Sequence, residues 1–325
     1  MLKDIFVTPF VDMVSAPDFL MQVLWEGLVS GILYALIALG FVLIFRSSRI
    51  FNFAQGIMVV FAALTLVGFH SMGVPAWISV ALTLAVMLAL AVTIERVVLR
   101  PLVGQPDIIL FMATIGITLF LIGFGEIIFG GENKQMITGE LGIPTDAIVL
   151  EPFDGLLILE QQDVTAVIGA ALLVVGLLAF LNYTRMGRAV RALGDDSQAA
   201  LSVGISLQTI WVLVWFIAGI IALVTGIAWG SRAGVSFALE VIAYKALPVL
   251  MLGGLESITG AIVGGLMIGM LEKLFEIYWG QPLLGGGTEA WFAYLLALGV
   301  LLFRPQGLFG EKIIERVLSG SGEIL

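Results

Sequence analysis

The sequence predicts an all-α protein that crosses a membrane many times. Of its 325 residues, 60% are hydrophobic and 12% are charged, and the mean hydropathy is +1.11. A typical soluble domain is about half apolar and about a quarter charged. Long stretches contain no Asp, Glu, Lys or Arg, and basic residues collect in alternate connections between them. A water-soluble fold could not bury so much apolar surface, so a soluble enzyme is excluded.

Runs without charged residues predict six helices, because about 20 apolar residues are needed to cross the hydrocarbon core. The run Ile50–Ile94 is too long for one crossing and contains a turn sequence at His70–Pro75, so it is predicted to form two helices. The other four lie in Gly27–Phe45, Ile108–Gly125, Val164–Thr184 and Gln208–Gly230.

The C-terminal third contains shorter apolar runs, and its first two are rich in glycine. Runs of about 10–15 residues more often form partial or buried helices than lipid-facing spans. We expect one broken or re-entrant element, one tightly packed helix and one final span, which gives eight or nine helices in total. The runs are Ala246–Leu255, Ser257–Leu271 and Ala290–Phe303.

Two G-x-x-x-G spacings lie in the second of these runs. They pair Gly260 with Gly264 and Gly265 with Gly269. Such spacings allow helix backbones to approach closely. We interpret them as tight packing within the helix bundle.

The basic residues predict the orientation, because cytoplasmic connections carry an excess of Lys and Arg. Ten of the 15 fall in alternate connections, whereas Lys3, Lys134 and Arg232 fall on the opposite side. The N-terminus is therefore expected outside and the C-terminus in the cytoplasm. The ten are Arg46, Arg49, Arg96, Arg100, Arg185, Arg188, Arg191, Arg304, Lys312 and Arg316.

We expect one transmembrane domain over residues 23–303. Residues 1–22 are interpreted as an acidic outer extension, which lacks the basic start of a signal peptide, and residues 304–325 as a cytoplasmic tail. The connection 131–163 holds seven of the 24 acidic residues. It is interpreted either as a solvated outer loop or as a docking surface for an external partner.

The cytoplasmic connection 185–207 follows the fifth helix. Arg185, Arg188 and Arg191 recur every three residues, so on a helix they share roughly one face at the membrane surface. Gly194 is expected to interrupt that helix.

A short second helix is predicted in the same connection. Asp195 with Gln198 fits a capping box, which predicts a helix over Asp196–Val203 that stops at Gly204. Its residues, Ala199 among them, are small and apolar. This pattern suits insertion into a groove on another protein, and it equally suits an ordinary interfacial loop helix.

Four polar residues are candidates for a transport path or gate. Asn52 and Gln55 lie just inside the second helix, where amides either join helices or form a gate near the cytoplasmic mouth. Lys245 and Glu256 border a short apolar run, and charges there either reach the interface or face a conduit. Glu272 and Lys273 are adjacent in sequence and are not expected to pair with each other.

Several absences limit the chemistry. With no cysteine and one histidine, the chain has no disulfide framework, no thiolate metal site and no histidine cluster, and we expect no cofactor. It has no phosphate-binding G-x-x-x-x-G-K-[ST] loop and no G-x-S-x-G motif, so any energy from ATP must come from another subunit. A net charge of −9 argues against nucleic acid as a partner.

An ordered set of stretches extends over most of the chain. They are Gly31–Gly40, Phe51–Gly56, Glu95–Leu102, Arg185–Ala192, Lys245–Pro248, Leu252–Gly254, Gly260–Gly265 and Arg304–Gly310. Together they resemble the integral-membrane permease of branched-chain amino acid ABC importers, the smaller of its two paralogous permeases. The resemblance covers the chain from about Gly27 to Gly310.

This resemblance implies a type II-like ABC importer permease of the bacterial inner membrane, with no catalytic site of its own. The implied partners are a paralogous permease or a second copy, two cytoplasmic ATP-binding subunits and an external solute-binding protein. The implied solutes are branched-chain or other small amino acids. Permeases for urea or short-chain amides have a very similar pattern, and a stand-alone channel or ion-coupled carrier is the alternative from another class.

The resemblance also implies that the connection 185–207 receives the motion of the ATPase. It therefore favours the docking interpretation of the short helix. The coupling residues are then Arg188, Arg191, Asp195, Asp196, Ala199 and Gly204.

Overall fold

The computed structural model describes residues 7–152 and 155–310, and this part of the chain is mostly helical. Thirteen α-helices lie in the described ranges: α1 (Thr8–Ser15), α2 (Pro17–Ser48), α3 (Gln55–Ser71), α4 (Ala76–Thr93), α5 (Asp107–Phe129), α6 (Gln161–Tyr183), α7 (Arg185–Asp195), α8 (Ser197–Ser202), α9 (Leu207–Ala233), α10 (Leu239–Tyr244), α11 (Ala246–Gly253), α12 (Ile258–Phe275) and α13 (Phe292–Phe303).

Six helical segments are long and apolar enough to cross a membrane. Two of them extend beyond their α-helices through π-helical or 3-10 turns, at 94–102 after α4 and at 276–284 after α12. Two shorter apolar helices, Gln55–Ser71 and Glu289–Phe303, accompany them. The six are Pro17–Ser48, Ala76–Leu102, Asp107–Phe129, Gln161–Tyr183, Leu207–Ala233 and Ile258–Leu284.

The predicted division of the long run Ile50–Ile94 is confirmed. α3 ends at Ser71 and α4 begins at Ala76. Gly73 in the turn has a φ of +88°, a backbone conformation that residues other than glycine rarely adopt. Pro75 directly precedes α4. The residues that suggested a turn therefore form one.

α2 is the central helix of the bundle. Its side chains are almost continuously buried from Val29 to Ile44. Nearly all of them are apolar and could face lipid, but neighbouring helices cover them. It packs against α12 and α9, and α9 in turn packs against α3 and α4. A helix that is hydrophobic all round and enclosed by others belongs to the core of the bundle.

Glycines permit close contact between α2 and α12. A methyl group on Gly31 would lie 2.7 Å from the carbonyl oxygen of Gly265, and one on Gly269 would collide with the backbone of Gly31. Gly27 packs in the same way against Met270. We call these four glycines, Gly27, Gly31, Gly265 and Gly269, the glycine seam.

The other predicted glycine pair faces a different helix. A methyl group on Gly264 would lie 2.9 Å from the carbonyl oxygen of Val249, and one on Gly260 would collide with the backbone of Gly253. The two G-x-x-x-G spacings therefore lie on two faces of α12, one against α11 and one against α2.

The C-terminal region is divided into short elements. α10 and α11 are separated at Lys245, and Ser257 caps α12 by accepting a hydrogen bond from the amide of Gly260 at 2.9 Å. After α12, the Glu276 carboxylate accepts hydrogen bonds from the amides of Gly287 (2.9 Å) and Thr288 (2.7 Å). This carboxylate thereby fixes the turn that leads into α13.

A β-hairpin is present in the connection 131–163, which an all-α prediction misses. Strand β1 (Ala147–Leu150) pairs antiparallel with β2 (Leu157–Glu160), with Ala147 opposite Glu160. The strands are rich in Ile, Leu and Val, which favour extended structure in short segments. Residues 153 and 154 lie outside the described ranges.

We expect Gly269→Ala to destabilise the protein by about 1–3 kcal/mol, because the added methyl group forces α2 and α12 apart. The thermal unfolding midpoint of the purified protein in detergent measures this. Gly299→Ala is the matched control, since the space around Gly299 in α13 is open and alanine is the better helix former. An unchanged midpoint for Gly269→Ala would contradict the glycine seam.

Candidate functional site

α7 follows α6 after a single residue and lies against the end of the bundle. The Thr184 hydroxyl caps it by accepting a hydrogen bond from the amide of Gly187 at 2.9 Å. Gly187, Val190 and Leu193 form its buried face. Gly187 lies directly on the last turn of α6, where a side chain would collide with its backbone.

The arginines of α7 do not all lie in the same environment. Arg185 and Arg188 are exposed, whereas Arg191 is half-buried and donates a hydrogen bond to Oδ1 of Asn182 at 3.0 Å. The prediction that Gly194 interrupts the helix is wrong, because α7 continues to Asp195. Gly194 instead contacts the backbone carbonyl of Arg46 at the end of α2.

α8 is shorter than predicted, and its cap is a different residue. Asp196 is the N-cap: its Oδ1 accepts hydrogen bonds from the amides of Gln198 (2.9 Å) and Ala199 (3.0 Å). Asp196 has the extended backbone that a cap requires, while Asp195 is the last residue of α7. The prediction of Asp195 as the cap is therefore corrected by one residue.

α8 ends at Ser202, one residue before the predicted Val203, and Gly204 occupies the stop position that the sequence predicted. Gly204 has a φ of +87°, its amide donates to the carbonyl of Leu201 at 3.0 Å, and the amide of Ile205 donates to the carbonyl of Ala200 at 3.1 Å. These two bonds form a Schellman motif, in which glycine adopts the left-handed conformation without strain.

α8 exposes apolar side chains. Ala200 is buried, whereas Ala199, Leu201 and Val203 are exposed, Val203 to 77%. A helix of six residues has little stability alone, so its cap, its Schellman motif and its contact with α7 hold it. The result is a small apolar surface beside the exposed arginines of α7.

Arg49 connects three elements at this end of the bundle. Its Nη1 pairs with Oε1 of Glu256 in the loop before α12, and its Nη2 donates to the backbone carbonyl of Gly194 in α7 at 3.3 Å. From the sequence, Arg49 is predicted only to lie on the cytoplasmic side. Its distant partners carry no local signal, so their contacts could not be predicted from the pattern.

Two clefts flank the Arg49–Glu256 pair. One has a volume of about 550 Å³ and is bordered by Arg46, Arg191 and Asp195. The other has a volume of about 780 Å³ and is mostly apolar. Glu256 borders both clefts.

Asn52 and Gln55 are completely buried. The Asn52 Oδ1 accepts a hydrogen bond from the amide of Ala54 at 3.1 Å, directly before α3. The Gln55 Nε2 donates to the carbonyl of Ala218 in α9 at 3.4 Å and packs on Gly40 of α2. Gln55 thus joins three helices, which is a common use of an amide in a membrane protein.

Lys245 lies in a buried polar cluster with Tyr34 and Glu272. Its Nζ is 2.5 Å from Oε1 of Glu272 and 3.2 Å from the hydroxyl of Tyr34. The Glu272 side chain is 1% exposed and that of Lys245 is 20% exposed. Tyr34 also stacks on Trp229 with ring centroids 5.8 Å apart. We call Tyr34, Lys245 and Glu272 the buried triad.

Two other ion pairs join charged residues of the described spans. Lys273 contacts Glu289 at 2.6 Å, so Glu272 and Lys273 have separate partners, as expected. Arg232 at the end of α9 contacts the buried Asp163 of α6 at 3.2 Å. Pairing lowers the cost of placing charges near hydrocarbon.

We expect Glu272→Leu to destabilise the protein by about 3–5 kcal/mol, because it leaves the half-buried Lys245 charge without a carboxylate and with only the Tyr34 hydroxyl as a partner. The double variant Glu272→Leu/Lys245→Leu should recover most of this loss, since apolar side chains often replace a buried ion pair without cost. The unfolding midpoint in detergent is the measurement.

Glu289→Leu is the matched control for this experiment. Its pair with Lys273 is more exposed than the Lys245–Glu272 pair, so a smaller loss is expected. Equal losses of stability for Glu272→Leu and Glu289→Leu would contradict the interpretation that burial makes the Lys245–Glu272 pair more costly to break. No recovery of stability in the double variant would contradict it as well.

The chain is similar to known membrane permeases over most of its length. A family described as the permease component of branched-chain amino acid transport systems matches residues 23–304. The high-affinity branched-chain amino acid transport system permease protein BraD of Pseudomonas aeruginosa is 30% identical over 91% of this chain and 98% of its own length. The corresponding protein LivH of Escherichia coli is 29% identical over 92% and 98%.

One solved structure, PsaBC from Streptococcus pneumoniae in complex with Fab, also matches. It covers 93% of this chain and 97% of its own, with 12% identity and a TM-score of 0.48.

Proposed function

Because the chain belongs to the family of branched-chain amino acid transport system permease components, we propose that it forms the membrane pathway of an ATP-driven importer for branched-chain or other small amino acids. The relatives are ABC permease subunits, which are transport components rather than enzymes. The observation that carries the proposal is the match over residues 23–304 together with relatives at about 30% identity over nearly the whole chain.

The permease relatives and the six apolar helices indicate a multi-pass protein of the inner membrane. In our proposal the N-terminus is outside and the C-terminus in the cytoplasm. The proposed orientation rests on the excess of Lys and Arg in alternate connections. Two groups of contacts agree with the division of the connections between two ends of the bundle. Arg49, Gly194 and Glu256 meet at one end, whereas the backbone of Lys134 forms a β-bridge with Val235, and Arg232 pairs with Asp163, at the other.

The proposed architecture is a type II-like importer permease with nine crossings, since an outer N-terminus and a cytoplasmic C-terminus require an odd number. The six long segments and the two shorter apolar helices, α3 and the segment Glu289–Phe303, supply eight of them. α10 and α11 form the ninth as a broken element, because α9 ends where Asn133 of the outer connection contacts Ala233 and α12 begins beside Glu256 at the opposite end. Each unbroken crossing satisfies its backbone groups as a helix, as a bilayer requires.

The proposed complex contains a second permease subunit, either a paralogue or a second copy of this chain. Two cytoplasmic ATP-binding subunits and an external solute-binding protein complete it. α7 and α8 are proposed to receive the ATPase motion through their exposed face: Arg188, Ala199 and the neighbouring apolar residues of α8 would contact the ATP-binding subunit. Arg191, Asp195, Asp196 and Gly204 would hold the two helices in shape.

The four path candidates separate by their surroundings. Glu256 borders two clefts and Lys245 keeps part of its side chain exposed, so both are proposed to lie along the path. Asn52 and Gln55 are enclosed by helices near its inner end, so a gating role would require those helices to move apart.

Reconstitution tests the proposed function. The chain, its genomically neighbouring ATP-binding and permease subunits and the neighbouring solute-binding protein are placed in liposomes, and uptake of labelled leucine, valine, urea and acetamide is measured. We expect uptake of leucine or valine that requires both ATP and the binding protein. Flux through the chain alone, or uptake of urea or acetamide in place of amino acids, would contradict the proposal.

We expect Ala199→Trp to reduce ATP-driven uptake to background, because the indole would obstruct the exposed surface of α8. Co-purification of the ATP-binding subunit should fall in parallel. Ala147→Trp is the matched control for co-purification, since Ala147 is exposed on strand β1 of the outer connection, on the side of the bundle opposite to α8 in the proposed orientation. Normal uptake by Ala199→Trp would remove α8 from the coupling surface.

A further inference from the structure

The larger cleft beside Arg49 has the composition of a small-molecule site. It lies between the ends of α2 and α13, the first turns of α5, and α11, and its volume is about 780 Å³. Ligand sites occupy about 300–1,000 Å³ and are mostly apolar with a few placed polar groups. Its apolar wall includes Phe45, Phe51, Phe111, Leu250 and Met251.

The charged pair Arg49–Glu256 lies on one side of this cleft. Both residues also border the neighbouring 550 Å³ cleft, so the pair forms the wall between the two. The side chains are 51% and 29% exposed and are therefore accessible to a ligand.

Both groups of the pair can bind further partners. A guanidinium has five N–H donors, and a carboxylate accepts about four hydrogen bonds. Arg49 uses two of its nitrogens, for Glu256 and for the carbonyl of Gly194. A cation and an anion side by side complement the carboxylate and the ammonium group of an amino acid.

The backbone of Arg49 provides an independent observation. Within residues 7–152 and 155–310, Arg49 alone among the non-glycine residues has a positive φ, at +58°; the other positive φ values belong to glycines. Glycine would adopt this conformation without strain. A long charged side chain at a strained position suggests that the side chain is used.

We propose that this cleft binds an amino acid with a branched aliphatic side chain. The Arg49 guanidinium holds the α-carboxylate, the Glu256 carboxylate holds the α-ammonium group, and Phe45, Phe51 and Phe111 enclose the side chain. The site lies at the end of the bundle assigned to the cytoplasm, so it is the last site before release. This role rests on the proposed function, whereas binding itself can be tested separately.

The absence of cysteine from the sequence permits a direct test. Met251→Cys places a single thiol of this chain in the cleft, at a residue that is 46% exposed. Met186→Cys on α7 is the matched control, 43% exposed and away from the cleft. The assembled complex is treated with N-ethylmaleimide in detergent. We expect leucine to slow labelling of Met251→Cys and to leave Met186→Cys unchanged.

Fragments of leucine identify which groups are recognised. Glycine lacks the side chain, 3-methylbutylamine lacks the carboxylate, and 4-methylpentanoate lacks the ammonium group. Each should protect Met251→Cys less than leucine does at equal concentration. Equal protection by 4-methylpentanoate would indicate a site for fatty-acid-like anions, and absence of protection by leucine would indicate no site; either result overturns the proposal.

Glu256→Gln should weaken leucine protection about tenfold, the loss expected for one charge-assisted hydrogen bond. Glu289→Gln is the control, because the Glu289 side chain is similarly exposed to that of Glu256 and belongs to a different ion pair. Undiminished protection in Glu256→Gln would overturn the assignment of this carboxylate. ATP-driven leucine uptake without protection would overturn the binding site and leave the proposed function intact. Protection without uptake would support the binding site and contradict the proposed function.

Discussion

The close contact between α2 and α12 determines much of this structure. At the glycine seam the two backbones touch without intervening side chains. Within the bilayer, helices gain little from the hydrophobic effect when they associate, so close backbone packing is a principal source of attraction between them. Because α2 is also enclosed by α9, this contact fixes the helix around which the others pack.

The seam also explains how the buried triad can form. α2 and α12 run antiparallel, so Tyr34, one turn after Gly31, and Glu272, one turn after Gly269, lie on opposite sides of the closest backbone contact. Because helical side chains tilt toward the N-terminus of their own helix, the two approach each other, and the Tyr34 hydroxyl lies 3.3 Å from Oε1 of Glu272. Lys245 reaches them because the chain is interrupted between α10 and α11 at that position. A buried charge pair needs such fixed geometry to offset its desolvation.

The helices were predictable because the signal for them is local. The thickness of the hydrocarbon core sets the length of a span, so an uncharged run of about that length marks a span in the sequence. Capping was only partly predictable: the capping box with Gln198 indicated Asp195, whereas the extended backbone at Asp196 makes that aspartate the cap. The partners of Lys245 were not predictable, since Tyr34 is 211 residues away in sequence. Likewise, sequence shows the charge of Arg49 but neither its strained backbone nor its contact with Gly194.

Arg49 links the packing of the bundle to its surface helices. It is the residue after the last turn of α2, so its position follows the central helix, while its side chain contacts α7 and the loop that begins α12. A displacement of α7 therefore acts on the interaction between Arg49 and Glu256. A ligand that used the same two charged groups would change the free energy of that interaction. Because such coupling is reciprocal, binding of the solute would shift the position of α7, and displacement of α7 would change the affinity for the solute. Both effects would act through the side chain of Arg49.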